Sequence, residues 1–143
     1  MYYKSIRAEW MSDAANIWAL NHRVLGLVMN ECAEQLASLG LETKEFFVLG
    51  EIEPCRYPAE LAKRLMLPKA SVTVYLRNLV SKKFVQREID EGDLRRHRLV
   101  LTSDGRRALD AATVALSSSF EKRLTRLKEQ ERAELERLLS KLV

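Results

Sequence analysis

The chain's three prolines, Pro54, Pro58 and Pro68, all fall in one short central stretch. Proline lacks a backbone donor and clashes with the preceding turn, so it breaks a helix interior yet fits a first helical turn. Both arms are free of it and can form long helices, whereas the centre must be built from short, punctuated elements.

From about Ser12 to Leu39 the apolar residues Leu25, Val28, Met29, Cys32, Leu36 and Leu39 recur at helical spacing, and Trp18 continues the stripe one heptad earlier. The pattern predicts one amphipathic helix closed by Gly40. A shorter helix is expected from Thr43, a good N-cap, through Phe46, Phe47 and Leu49 to near Ile52. Pro54 and Pro58 then bracket a loop, and Ala59 to Leu65 reads as two helical turns with Pro58 at their start. Met66-Leu67-Pro68 ends that helix. Another is expected from about Lys69 to Lys82, with Val72, Leu76, Leu79 and Val80 facing inward. Small Ala62 sits where the two axes would cross, which completes a helix-turn-helix pattern.

Beyond Lys83 the period becomes two. Val85, Arg87 and Ile89 alternate with Gln86 and Glu88, Glu91-Gly92-Asp93 supplies a turn, and Leu99 and Leu101 alternate with Arg98 and Val100. This predicts an antiparallel hairpin with a charged tip. Thr102 is a plausible N-cap for a long run carrying Leu109, Ala112, Leu116, Phe120, Leu124 and Leu127, and a last helix carries Leu135, Leu138, Leu139 and Leu142. The pattern does not decide whether Lys128-Glu129-Gln130 divides this arm.

With 143 residues, 47% of them hydrophobic and 31% charged, the expectation is a single globular domain, residues 1–143. The longest stretch without Asp, Glu, Lys or Arg is the ten residues Ala111 to Phe120, too short for the ~20 apolar residues of a membrane helix. The N-terminal residues mix acidic with basic side chains and do not read as a signal peptide. Two cysteines far apart make no disulfide framework, so a reducing, cytoplasmic setting is expected. Charge is unevenly spread. Residues 58–107 hold 12 basic and 6 acidic side chains, net +6, against −2 for the remainder. Such a segment fits a polyanion, with a solvated basic face as the plain alternative.

A helix-turn-helix followed by a two-stranded hairpin is the winged-helix arrangement. Residues Leu41 to Leu109 resemble the MarR family of bacterial transcription regulators, and the arms resemble that family's dimerisation region. The likeness lies in Glu60-Leu61-Ala62, Ser71-Val72-Thr73, Leu79, Phe84-Val85-Gln86-Arg87, and Asp93-Leu94-Arg95 placed before Thr102-Ser103-Asp104-Gly105-Arg106. It implies a mainly α, winged helix-turn-helix protein whose lobe 41–107 binds pseudo-palindromic duplex DNA, while helical arms 1–40 and 108–143 form a homodimer. It further implies repression, with release by a small aromatic effector. Two positions depart from the family pattern: Val74 stands where Arg is frequent, and Lys83 where Gly is frequent. The second costs little if Lys83 avoids positive φ.

On the second helix of the motif, Lys69, Ser71, Thr73, Val74, Arg77 and Asn78 lie off the apolar stripe, Lys82 stands at its end, and no acidic residue falls between Ala70 and Lys83. Arg can pair with guanine, Asn with adenine, and Thr73 or Val74 can touch a thymine methyl. At the hairpin tip stand Asp93, Arg95 and Arg96. A self-neutralising loop, with Asp90 and Glu91 adding acid, accounts for these residues equally well. The resemblance implies instead that Arg95 enters a minor groove while Asp93 steadies it. Trp10, Trp18, His22, Met29, Phe46, Phe47 and Tyr57 could line an effector pocket by residue type, and each could equally be core.

No nucleophile elbow, phosphate-cradling loop or His-x-x-x-His pair is present, and His22 and His97 stand alone, so neither an enzyme, a cofactor nor a metal site is expected. Cys32 sits in an apolar stripe, where an inert thiol is usual. Cys55, beside Arg56, could be oxidisable, which leaves a redox-sensing regulator as one alternative. A winged-helix module that binds a protein partner is the other.

Overall fold

The computed structural model describes residues 13–143. Its elements are α1 (Asp13–Ser38), α2 (Thr43–Glu51), α3 (Pro58–Leu65), α4 (Lys69–Ser81), β1 (Val85–Ile89), β2 (His97–Leu101), α5 (Ser103–Leu124) and α6 (Glu129–Ser140). The fold is mainly α, with a winged helix-turn-helix at its centre. Among the described residues, no helix is long and apolar enough to cross a membrane.

Three helices end in the same way, with a left-handed residue and two backbone bonds that fold back onto the last turn. At α1 this residue is Gly40, φ 78°, with Leu41 N–H on Leu36 O at 2.9 Å. At α3 it is Met66, φ 52°, with Leu67 N–H on Ala62 O at 3.1 Å. At α4 it is Lys83, φ 62°, with Phe84 N–H on Leu79 O at 2.9 Å. Lys83 therefore does not avoid positive φ: the chain must reverse within one residue to start β1, whichever side chain is present. Left-handed geometry costs a residue with a Cβ about 1–2 kcal/mol. Lys83→Gly should recover roughly 1 kcal/mol, less the extra unfolded-state entropy of glycine. Urea unfolding measures this, and a variant less stable than the wild type would contradict it.

The start of α2 also differs from expectation. Glu42, not Thr43, is the N-cap, and Glu42 N–H donates to Glu45 Oε2 at 3.1 Å, closing the turn from within. Pro58 occupies the first turn of α3 as expected, and Pro68 is the cap preceding α4, which starts at Lys69 as expected. Thr102 does cap α5, its Oγ1 accepting Gly105 N–H at 2.9 Å. The C-terminal arm is two helices, with α6 opening at Glu129 after Lys128.

The core is shared by all elements from the second half of α1 to the first half of α5. Leu36, Leu49, Ile52, Leu61, Leu76 and Leu99 are among its fully buried side chains. Val80, expected to face inward, is 36% exposed, because α4 turns only Val72, Leu76 and Leu79 fully into the core. β1 and β2 pair antiparallel with Val85 opposite Leu101, Arg87 opposite Leu99 and Ile89 opposite His97. Leu99 N–H donates outside the hairpin to Arg56 O at 2.7 Å, which ties the wing's second strand to the loop before α3.

α1 and α5 cross over a polar clasp. Ser119 Oγ donates to Glu31 Oε2 at 2.6 Å, Arg123 Nη2 donates to Glu31 Oε1 at 2.5 Å, and Arg123 Nη1 donates to Ser119 O at 2.9 Å. The Arg123 hydrogen bond, followed by that of Ser119, lowers Glu31 from its ordinary 4.5 to about 2. A carboxylate depressed in the folded state adds stability above its unfolded value and loses it as the pH falls toward the folded one. Glu31→Gln should thus melt below the wild type at neutral pH, and the gap should narrow as the pH is lowered from about 5 to 3. A gap independent of pH would mean that the charge of Glu31 plays no part.

The outer half of α1 and all of α6 are not packed in this way. Trp18 is 64% exposed, Leu25 50% and Leu142 77%, and α6 buries no residue. The apolar stripe foreseen at Trp18 and Leu25 exists, but no described residue covers it. Trp18 and Leu142 border an open apolar groove of about 1020 Å³ that also includes Ile17, Phe120, Leu135 and Leu139.

Candidate nucleic-acid interface

α4 presents its polar face outward because its apolar residues face α2 and α3. Lys69, Thr73, Val74 and Arg77 are exposed on it, while Ser71 and Asn78 are half-buried along its edge. Thr73 Oγ1 donates to Lys69 O at 2.9 Å, so the hydroxyl proton is held by the helix and Oγ1 remains free to accept. Among the described residues, no ion pair is recorded for Lys69 or Arg77. Arg77 shares a small recess with Thr73, Val80 and Arg87 of β1.

Arg87 was not singled out from the sequence as a contact residue. Its signal lay in the alternation, which puts it on one face with Val85, and in its place outside the acidic tip. What periodicity could not supply was that this face of β1 borders α4.

Lys82 is placed differently from the rest. Its Nζ lies 2.5 Å from Glu45 Oε2, and Glu45 is fully buried with Oε1 unpartnered. A buried carboxylate without a partner is costly, so Lys82 serves first to neutralise it and to fasten the end of α4 to α2.

At the wing tip, Asp93 Oδ1 accepts the Arg95 backbone N–H at 3.0 Å. Asp93 thus steadies the Arg95 main chain rather than its side-chain stem, and no ion pair is recorded for the Arg95 guanidinium among the described residues. Arg96 is instead turned back, its guanidinium 3.9 Å above the Tyr57 ring and Nη2 3.6 Å from Glu60 Oε1. The Tyr57 hydroxyl donates to the Asp90 carboxylate. That bond, with a second from Gly92 N–H, holds Asp90 below its usual range, and the same bond raises Tyr57.

A basic helix face, a hairpin tip carrying a free arginine and a helix-turn-helix between them form a recognisable unit, and the sequence model of the MarR family matches residues 40–96. This central stretch is similar to the MarR family. The match runs from the end of α1 to the wing tip and so contains α2, α3, α4 and β1. Solved MarR-family structures extend the likeness to the arms. The reduced form of MarR from E. coli is 28% identical with a TM-score of 0.74, over 87% of this chain and 94% of that one. A Mycobacterium tuberculosis MarR family protein in complex with DNA is 27% identical with a TM-score of 0.71, over 87% and 94%. The MepR–DNA complex of S. aureus, at 21% identity, shares the fold with a TM-score of 0.70, over 92% and 96%. No curated protein sequence matches the chain.

The effector candidates separate into three places. Met29, Phe46 and Phe47 meet in a cavity of about 410 Å³ between α1, α2 and α5, with Leu25, Leu116 and Phe120 among the other lining residues. Trp18 faces the larger apolar groove instead, and His22 lies against it with ring centroids 5.4 Å apart. Tyr57, the N-cap of α3, packs against the wing tip, and Trp10 lies outside the described residues. Cys32 and Cys55 are both buried, Cys32 with its thiol on Ala115 O at 3.4 Å, so neither is presented to an oxidant in solution. Among the described residues, no three His, Cys, Asp or Glu side chains gather as a metal site requires.

Proposed function

We propose that the chain is a transcription regulator that binds pseudo-palindromic duplex DNA as a homodimer and represses its target. The observation that carries this reading is the exposed face of α4, where Lys69, Thr73, Val74 and Arg77 stand without a paired carboxylate, Arg77 and Thr73 sharing a recess with Arg87. Arg77, Thr73 and Val74 are the groove-facing set, with Ser71 and Asn78 at its edge. Arg95 reaches the adjacent minor groove, and Arg87 meets the backbone between them. The relative from M. tuberculosis, solved with DNA, supports the same use of the fold.

Homodimerisation is supported by the uncovered apolar residues of α1 and α6, more than a small monomer ordinarily exposes in one place. The arms are thus read as the dimerisation region and residues 41–107 as the DNA-binding lobe. The cavity around Met29, Phe46 and Phe47 suits a small aromatic effector, which would release DNA by binding between arm and lobe. The protein would work in the cytoplasm, as a regulator and not as an enzyme.

Selecting bound fragments from a genomic DNA pool at fixed salt, followed by footprinting, tests the reading. The expected result is an inverted repeat with half-sites about one helical turn, roughly 34 Å, apart. A pool without enrichment would contradict it and bring forward a protein partner for the same surface. Sedimentation equilibrium at micromolar concentration should give a dimer, and a folded monomer would contradict that part.

A further inference from the structure

The tip of the wing is held to the helix-turn-helix by residues outside the DNA-facing set. Asp90 leaves β1 and Arg96 leads into β2, and the two close the tip by backbone bonds. Asp90 N–H donates to Arg96 O at 2.9 Å, and Arg96 N–H donates to Asp93 O at 2.9 Å. Both side chains then meet Tyr57, the residue that caps α3. Its hydroxyl donates to Asp90, and its ring carries the Arg96 guanidinium, whose far side nears Glu60 in the first turn of α3. One aromatic side chain therefore grips the outgoing and the returning strand of the hairpin.

Little else holds this segment. Leu94 is 78% exposed, and among the described residues the side-chain hydrogen bonds, ion pairs and ring contacts from 90–96 to the rest of the lobe run to Tyr57 and Glu60. Without them the tip would sample many poses, and binding DNA would have to fix one of them at a cost in entropy. We propose that Tyr57, Asp90 and Arg96 are positioning residues that set the wing against α3, so that Arg95 is presented at a fixed place, and that Arg96 acts through Tyr57 rather than on DNA. This rests on the DNA-binding reading above.

Two variants of the full chain test it. Tyr57→Phe removes the hydroxyl that holds Asp90 and keeps the ring, and Arg96→Ala removes the stacked cation. In the free protein, amide hydrogen exchange at residues 90–96 should quicken in both while the melting temperature stays near that of the wild type. On the selected duplex, each should bind about tenfold more weakly, the loss expected when a loop and a long side chain are ordered only on binding. In an Arg95→Ala background neither should weaken binding further, because the clamp acts by placing Arg95. Losses that persist at full size in that background would make Arg96 a direct contact and overturn the proposal. Unchanged exchange, or quickened exchange with unchanged affinity, would overturn it as well. If the wild type selects no duplex, the DNA-binding reading falls, and with it the positioning role, while the exchange data still decide whether the clamp orders the wing.

Discussion

Arg95→Ala should weaken binding to the selected duplex strongly while leaving folding and dimerisation intact. Arg95 stands at the far side of the hairpin tip with no recorded ion pair, and its main chain is held by Asp93 at 3.0 Å. A guanidinium that enters a narrow minor groove meets concentrated negative potential, and removing it forfeits about 1–3 kcal/mol per site, or roughly 2–6 kcal/mol for a dimer using both wings. Asp93→Ala should cost less, since it loosens the backbone and removes a negative charge from the DNA side. Fluorescence anisotropy with thermal melts as the folding control measures both. An affinity equal to that of the wild type for Arg95→Ala would show that the wing does not reach DNA, and the protein-partner reading would then take precedence.

The largest effect on stability is expected at Gly105, where the first turn of α5 lies against the start of β1. A Cβ built there would stand 2.0 Å from Phe84 O and 2.8 Å from Phe84 C. Both atoms are backbone and have no rotamer by which to yield. Nor can the turn retreat easily: Thr102 N–H donates to Phe84 O at 3.0 Å, Thr102 Oγ1 donates to Lys83 O at 2.6 Å, and the same Oγ1 accepts Gly105 N–H. Gly105→Ala must part α5 from the wing or break this cap, and a loss of about 3 kcal/mol or more is expected. Urea unfolding reads it directly. A loss under about 1 kcal/mol would mean that the junction between wing and helix is far more yielding than its hydrogen bonds imply.

The two positions also mark what sequence periodicity can carry. Proline placement and the change from period 3.6 to period 2 located every central element, because both reflect local backbone rules. Thr102 was legible as a cap for the same reason, and the family motif that contains Gly105 was visible. The clash at Phe84 was not, since it joins residues 21 positions apart. The positive φ of Lys83 was likewise hidden, because the turn imposes it and the side chain does not favour it. Among the site residues, the exposed face of α4 could be read directly from the apolar stripe it avoids. Lys82, Arg96 and Tyr57 could not, because a long side chain near a DNA-facing surface may be claimed by a carboxylate or a ring from another element. Arg87 was missed for the converse reason: nothing local says which face of a two-stranded wing borders a helix.

On the reading proposed above, the α4 face and the wing bind duplex DNA through their unpaired cations. A salt titration of binding to the selected duplex tests it most directly, with wild type and Arg77→Ala compared. The logarithm of the wild-type affinity should fall linearly with the logarithm of salt, at about 0.9 per neutralised phosphate, and Arg77→Ala should lose selectivity among duplex variants by about 1–3 kcal/mol if it pairs with a base. Affinity that is insensitive to salt, together with an unchanged order of preference in Arg77→Ala, would contradict the claim.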